Sequence, residues 1–68
     1  MYIVVELQKN TEGLVSNIVT SYNTLAEAES KFYSILAAAA ISNVPVHSAI
    51  IVSEEGFPVK HQCYKHNT

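Results

Sequence analysis

Only one stretch of this chain repeats its apolar residues with a helical period, and it lies between two pairs of strand-like runs. Thr24-Leu25-Ala26-Glu27 has the pattern of a capping box, in which the Glu27 side chain returns to the Thr24 amide. From there Leu25, Ala28, Phe32, Ile35, Leu36 and Ala39 recur at three- and four-residue steps, the spacing of one helix face over about four turns. Glu27, Ser30, Lys31 and Ser34 fall on the opposite side, with Glu27 and Lys31 in i,i+4 relation. The last turn, Ala37 to Ala40, is small all round. Ser42-Asn43 ahead of Pro45 stops the helix, because proline disfavours helical geometry in the residue before it.

The flanking runs alternate as strands do. Residues Tyr2 to Lys9 place Ile3, Val5 and Leu7 on one face and Tyr2, Val4, Glu6 and Gln8 on the other. Asn10-Thr11-Glu12-Gly13 is turn chemistry, with Gly13 free to take a positive φ, and a second strand follows at about Leu14 to Tyr22. Val46 to Ser53 predicts a third strand, Glu54-Glu55-Gly56 a second hairpin turn, and about Val59 to Lys65 a fourth strand opened by Phe57-Pro58. Residues 66–68 are expected to form a loose tail. The reading is a single α+β domain over residues 1–68, β-β-α-β-β, with one helix on one face of a four-stranded antiparallel sheet. The expected strand order is 2-1-3-4, since Ile3 to Leu7 and Ala49 to Val52 are the most continuous apolar segments and belong in the middle.

Size then becomes decisive. A chain of 68 residues buries only about 60% of its unfolded surface, and one core of this size rarely supplies more than about 3–5 kcal/mol. A single cysteine makes no internal disulfide, so self-association is the expected stabiliser. Val, Ile and Leu together number 18, too many for a disordered chain of low charge. The longest apolar run, Ile35 to Ile41, falls far short of the roughly 20 residues of a spanning helix. The Met1 to Glu6 start lacks the basic and long apolar regions of a signal peptide, so a cytoplasmic location with Cys63 reduced is expected. A formal net charge of −2 without arginine offers little to neutralise phosphates, so nucleic acid is not an expected partner, and with no spanning run neither is a membrane.

Candidate chemistry is sparse. His61-x-Cys63-x-x-His66, with His47 elsewhere, carries zinc- or copper-type ligands. On a strand, however, His61 and Cys63 share a face while His66 has the opposite parity, so no metal is expected. Cys63 beside His61 or His47 could be an activated thiol, yet no anion loop or orienting Asp accompanies it, and the plainer account is a pair of strand neighbours. No catalytic residue and no cofactor are therefore expected. Glu54 and Glu55 read as a solvated hairpin tip.

More telling is the excess of apolar residues over what one helix can shield. Tyr2, Val4, Val15, Val19 and either Ile51 or Ile50 with Val52 are assigned to the uncovered sheet face, and Ala38 to a helix surface that allows close packing. The expectation is a non-enzymatic protein acting by protein contact, its partner a second copy of itself or another protein. The alternative is a metabolite- or nucleotide-binding protein with a pocket at the subunit interface, using Tyr33, His47 and Tyr64 beside Tyr2 as polar handles.

Met1-Tyr2-Ile3-Val4-Val5-Glu6-Leu7-Gln8, Ala26-Glu27-Ala28-Glu29-Ser30-Lys31, and Leu36-Ala37-Ala38-Ala39-Ala40 through Val44-Pro45-Val46-His47-Ser48-Ala49 resemble small uncharacterised proteins encoded in prophages and mobile elements of gut Firmicutes. The resemblance spans most of the chain. It implies an accessory protein of phage or mobile-element origin, and it brings no site residues with it.

Overall fold

A computed structural model describes residues 1–66. Strands β1 (Tyr2–Lys9), β2 (Val15–Tyr22), β3 (Val46–Ser53) and β4 (Pro58–Lys65) and helix α1 (Leu25–Ala40) occur in the order β1-β2-α1-β3-β4. The four strands form one antiparallel sheet of order β2-β1-β3-β4, as the apolar segments predict. Two hairpins are thus joined by a helix that crosses over the central pair.

Both hairpins turn on a glycine held at positive φ, Gly13 at 85° and Gly56 at 84°, a region that residues with a Cβ seldom enter. In the first turn the Asn10 side-chain oxygen accepts from the Glu12 and Leu14 amides at 2.9 and 3.0 Å, and the Asn10 amide donates to the Leu14 carbonyl at 3.0 Å. This closure sets the register, with Tyr2 opposite Tyr22 and Val5 opposite Val19. Between β3 and β4 the register shifts after Ile51, a bulge that turns Val59 against the rim of the core.

Helix α1 begins at the expected cap. The Thr24 hydroxyl oxygen accepts from the Glu27 amide at 3.2 Å. The Glu27 carboxylate takes the Thr24 hydroxyl at 3.0 Å, rather than the Thr24 amide as the box predicts. The core consists of Val4, Ala28, Phe32, Ile35, Ala49 and Ile51, with Tyr2, Tyr22, Leu25, Leu36 and Val59 around it. His66 departs from the expected loose tail. Its amide donates to the Pro45 carbonyl at 2.8 Å, and a ring nitrogen lies 2.8 Å from the Ala39 carbonyl at the helix end, a second contact for an acceptor that also takes the Ser42 amide at 3.3 Å. The expectation for residues 67 and 68 lies outside the described residues.

Candidate functional site

The hairpin register settles which residues face the helix, because directly opposite residues in an antiparallel pair share a face. Val4 opposes Thr20 and Ile51, and both Val4 and Ile51 are 0% exposed. The covered face therefore carries Tyr2, Val4, Glu6 and Gln8 of β1 and His47, Ala49 and Ile51 of β3. The assignment of Tyr2, Val4 and Ile51 to the open face is corrected: Val4 and Ile51 are core residues with no exposure to present to a partner, and Tyr2, half-buried, packs against that core from the covered side. Val15 and Val19 do lie on the open face, at 61% and 56% exposure. Of the two possibilities in β3, the open one is Ile50 with Val52.

The uncovered face is consequently built from Ile3, Val5 and Leu7, flanked by Val19 on β2 and by Ile50 and Val52 on β3. Val5 sits at its centre, opposite both Val19 and Ile50. Among the described residues no element packs over this patch. Its far side, on β4, carries His61 and Cys63, opposite Ile50 and Ser48, both exposed and with Cys63 as a free thiol. Ala38 lies apart, exposed on the helix.

One hydrogen-bonded polar group lies on the covered side. Glu6 and His47 meet there, His47 Nε2 lying 2.7 Å from Glu6 Oε2, while Gln8 Nε2 donates to the same oxygen at 3.1 Å. His47 is 4% exposed, and its Nδ1 has no partner among the described residues. The sequence signal for this pair was the break in apolar alternation at Glu6, which points to a buried carboxylate only once a partner on the neighbouring strand is known. Near the opposite end, Lys60 on β4 bonds to Glu29 at 2.7 Å and donates to the Tyr33 hydroxyl at 2.8 Å, its ammonium 5.2 Å from the Tyr33 ring centre. These two partners, the Glu29 carboxylate above all, hold the Lys60 ammonium above the usual lysine range.

Tyr33, His47 and Tyr64 are not brought together. His47 and Tyr64 face each other across β3 and β4, but Tyr33 contacts Lys60, four residues along the strand and so about 13 Å away. None of the three lies on the uncovered face. His61, Cys63 and His66 do not converge either: His66 reaches the helix end while the other two point to the opposite side of the sheet. Among the described residues no group of three or more His, Cys, Asp or Glu side chains is placed to hold a metal, no cavity is present, and no helix is long and apolar enough to cross a membrane. The chain matches no protein-family model, no curated protein and no solved structure.

Proposed function

We propose that this is a non-enzymatic cytoplasmic protein, an accessory protein of phage or mobile-element origin, that works by protein contact and self-associates through its uncovered sheet face. The carrying observation is the continuous aliphatic patch of Ile3, Val5, Leu7, Val19, Ile50 and Val52, which no element among the described residues covers. Large apolar patches on soluble proteins mark contact sites, and a core this small gains stability from a second layer. Four strands of eight residues present a flat footprint of roughly 500 Å². Two copies face to face therefore bury on the order of 1,000 Å², the threshold of a specific interface.

Sedimentation equilibrium at micromolar concentration tests this reading. The wild-type chain is expected as a stable species of more than one chain mass, and Val5→Glu, placed at the patch centre, is expected to lower that mass while leaving the circular dichroism of the fold intact. Ala38→Glu, on the exposed helix surface, is expected to change nothing. A wild-type protein sedimenting at one chain mass would refute the proposal, and a Val5→Glu variant of unchanged mass would move the contact to another surface.

A further inference from the structure

We infer that the outer edge of β2 is a second self-association surface, where two copies join β2 to β2 and extend the sheet to eight strands. The inference rests on the self-association reading above and adds a particular contact with a particular register. It starts from the difference between the two sheet edges. The β4 edge carries Pro58, Lys60 and Lys65 and is kinked by the bulge after Ile51, devices that discourage another strand from adding. The β2 edge has none of them. Its eight residues, Val15 to Tyr22, include no charge, no proline and no glycine, and its register with β1 runs without a break. Val15, Ile18 and Val19 are all more than half exposed.

The occupant follows from the pattern of the strand. Since the Asn10 amide bonds to the Leu14 carbonyl, the alternation of an antiparallel ladder directs the backbone groups of Ser16, Ile18, Thr20 and Tyr22 toward β1. Those of Val15, Asn17, Val19 and Ser21 then point outward, unpaired. A second β2, related by a two-fold axis through Ile18, pairs Val15 with Ser21 and Asn17 with Val19 in both directions, making about eight backbone hydrogen bonds. Shifting the axis to Asn17 or Val19 loses one of these four pairs. In the same register Ser16 opposes Thr20, a favourable hydroxyl pair, and Ile18 meets its own copy at the closely spaced, non-hydrogen-bonded position. The strand is thus self-complementary. Helix α1 packs mainly against β3 and β1 and only lightly against β2, and Ile18, on the helix side of β2, stays more than half exposed.

This edge also supplies what the face alone lacks. Face-to-face contact sits at the lower limit for a specific interface, and edge pairing adds to it without competing for the same side chains. The edge axis stands normal to the sheet and the face axis lies parallel to it, so a face axis that runs across the strands to meet the edge axis closes a four-chain assembly of dihedral symmetry.

Cysteine cross-linking of the full chain tests the contact. In a Cys63→Ser background, Ile18→Cys places two thiols across the axis with Cα atoms about 4.5 Å apart, within reach of a disulfide. Ser16→Cys places them four residues apart, beyond reach. Under mild oxidation most of the Ile18→Cys protein is expected to run as a two-chain species on non-reducing electrophoresis, and the Ser16→Cys protein as one chain. Asn17→Pro, which removes an outward amide and leaves the β1 ladder untouched, is expected to halve the sedimenting mass while the circular dichroism is retained. If Ile18→Cys stays uncross-linked while the wild type sediments as more than one chain, the edge contact is wrong and self-association through the face stands. A wild type of one chain mass overturns both.

Discussion

The two faces of this sheet divide their side chains unevenly: beside the core residues Val4, Ala49 and Ile51, the covered one also takes a polar group, and the uncovered one is mainly aliphatic. The face beneath the helix holds a carboxylate, an imidazole and an amide within one hydrogen-bonded group, Glu6, His47 and Gln8. The face with no cover holds Ile3, Val5, Leu7, Val19, Ile50 and Val52. A solitary small domain would be expected to do the opposite, since burying a polar group costs stability unless it is paired and leaving aliphatics in water forfeits their transfer free energy. The comparison teaches that the helix side is fixed by shape and by specific pairing, while the greater part of the strand hydrophobicity is directed outward, where only another chain can use it.

Ile50 and Ile51 are the sharpest test of that contrast, being adjacent in sequence and on opposite faces. Ile51→Ala empties a fully buried site and is expected to lose about 3–4 kcal/mol, the range of large-to-small changes in packed cores. Ile50→Ala is expected to cost little at protein concentrations below assembly, and to show a growing deficit against wild type as concentration rises and the wild type gains from association. Urea denaturation at two protein concentrations a hundredfold apart separates the two behaviours. Equal, concentration-independent losses at both positions would break the comparison.

A smaller effect is expected at the polar group of the covered face. Glu6→Ala removes the partner of His47 Nε2, and, with Nδ1 without a partner among the described residues, is expected to cost about 2 kcal/mol, the penalty of an unsatisfied buried group. Replacing both residues by leucine is expected to recover most of that loss, because two apolar side chains leave nothing unsatisfied. A double variant as unstable as the single would show that the pair supports the fold in some other way.

How much of this was legible in the sequence follows from which signals are local. Element order, strand limits within a residue or so, the Thr24 cap and the strand order all rest on periodicity, turn residues and capping, and all appear in the structure. Which side of the sheet the helix would cover was not local. Ile3, Val5 and Leu7 form the more apolar parity of β1, so their face is the natural choice for the core, and nothing near Glu6 announces that His47, 41 residues away, will pair with it. The open-face set was nonetheless testable in advance. A hairpin closed at Asn10 and Leu14 puts Val19 beside Val5 and not beside Val4, so Val4 and Val19 could never share a face. The β2 edge required knowledge of the neighbours on both sides of the strand, which only the assembled sheet supplies.

Among the described residues the helix is the one element that covers this sheet, so its end should matter in proportion. Thr24→Ala frees the Glu27 amide from its side-chain acceptor and is expected to lower stability by about 1 kcal/mol. Thr24→Ser, which keeps the acceptor, is expected to stay close to wild type in the same denaturation series. An unchanged midpoint for Thr24→Ala would mean that the cap contributes nothing to holding the helix on its face.

The smallest effect is expected where the helix reaches the guarded edge. Lys60 ties β4 to α1 through Glu29 and Tyr33, and its ammonium is held above the usual range by those partners. A raised lysine contributes stability that is fully present below its unfolded-state value, about 10.4, and is lost only as pH climbs through the higher folded value. The contribution is therefore constant across pH 6 to 9. Because the group stands in solvent, salt screens it. Lys60→Gln is accordingly expected to give a small drop in midpoint that is the same at pH 6 and pH 9 and fades in molar sodium chloride. A loss that instead grew with salt would assign Lys60 a packing role, with its methylene stem covering the Tyr33 ring and its charge incidental.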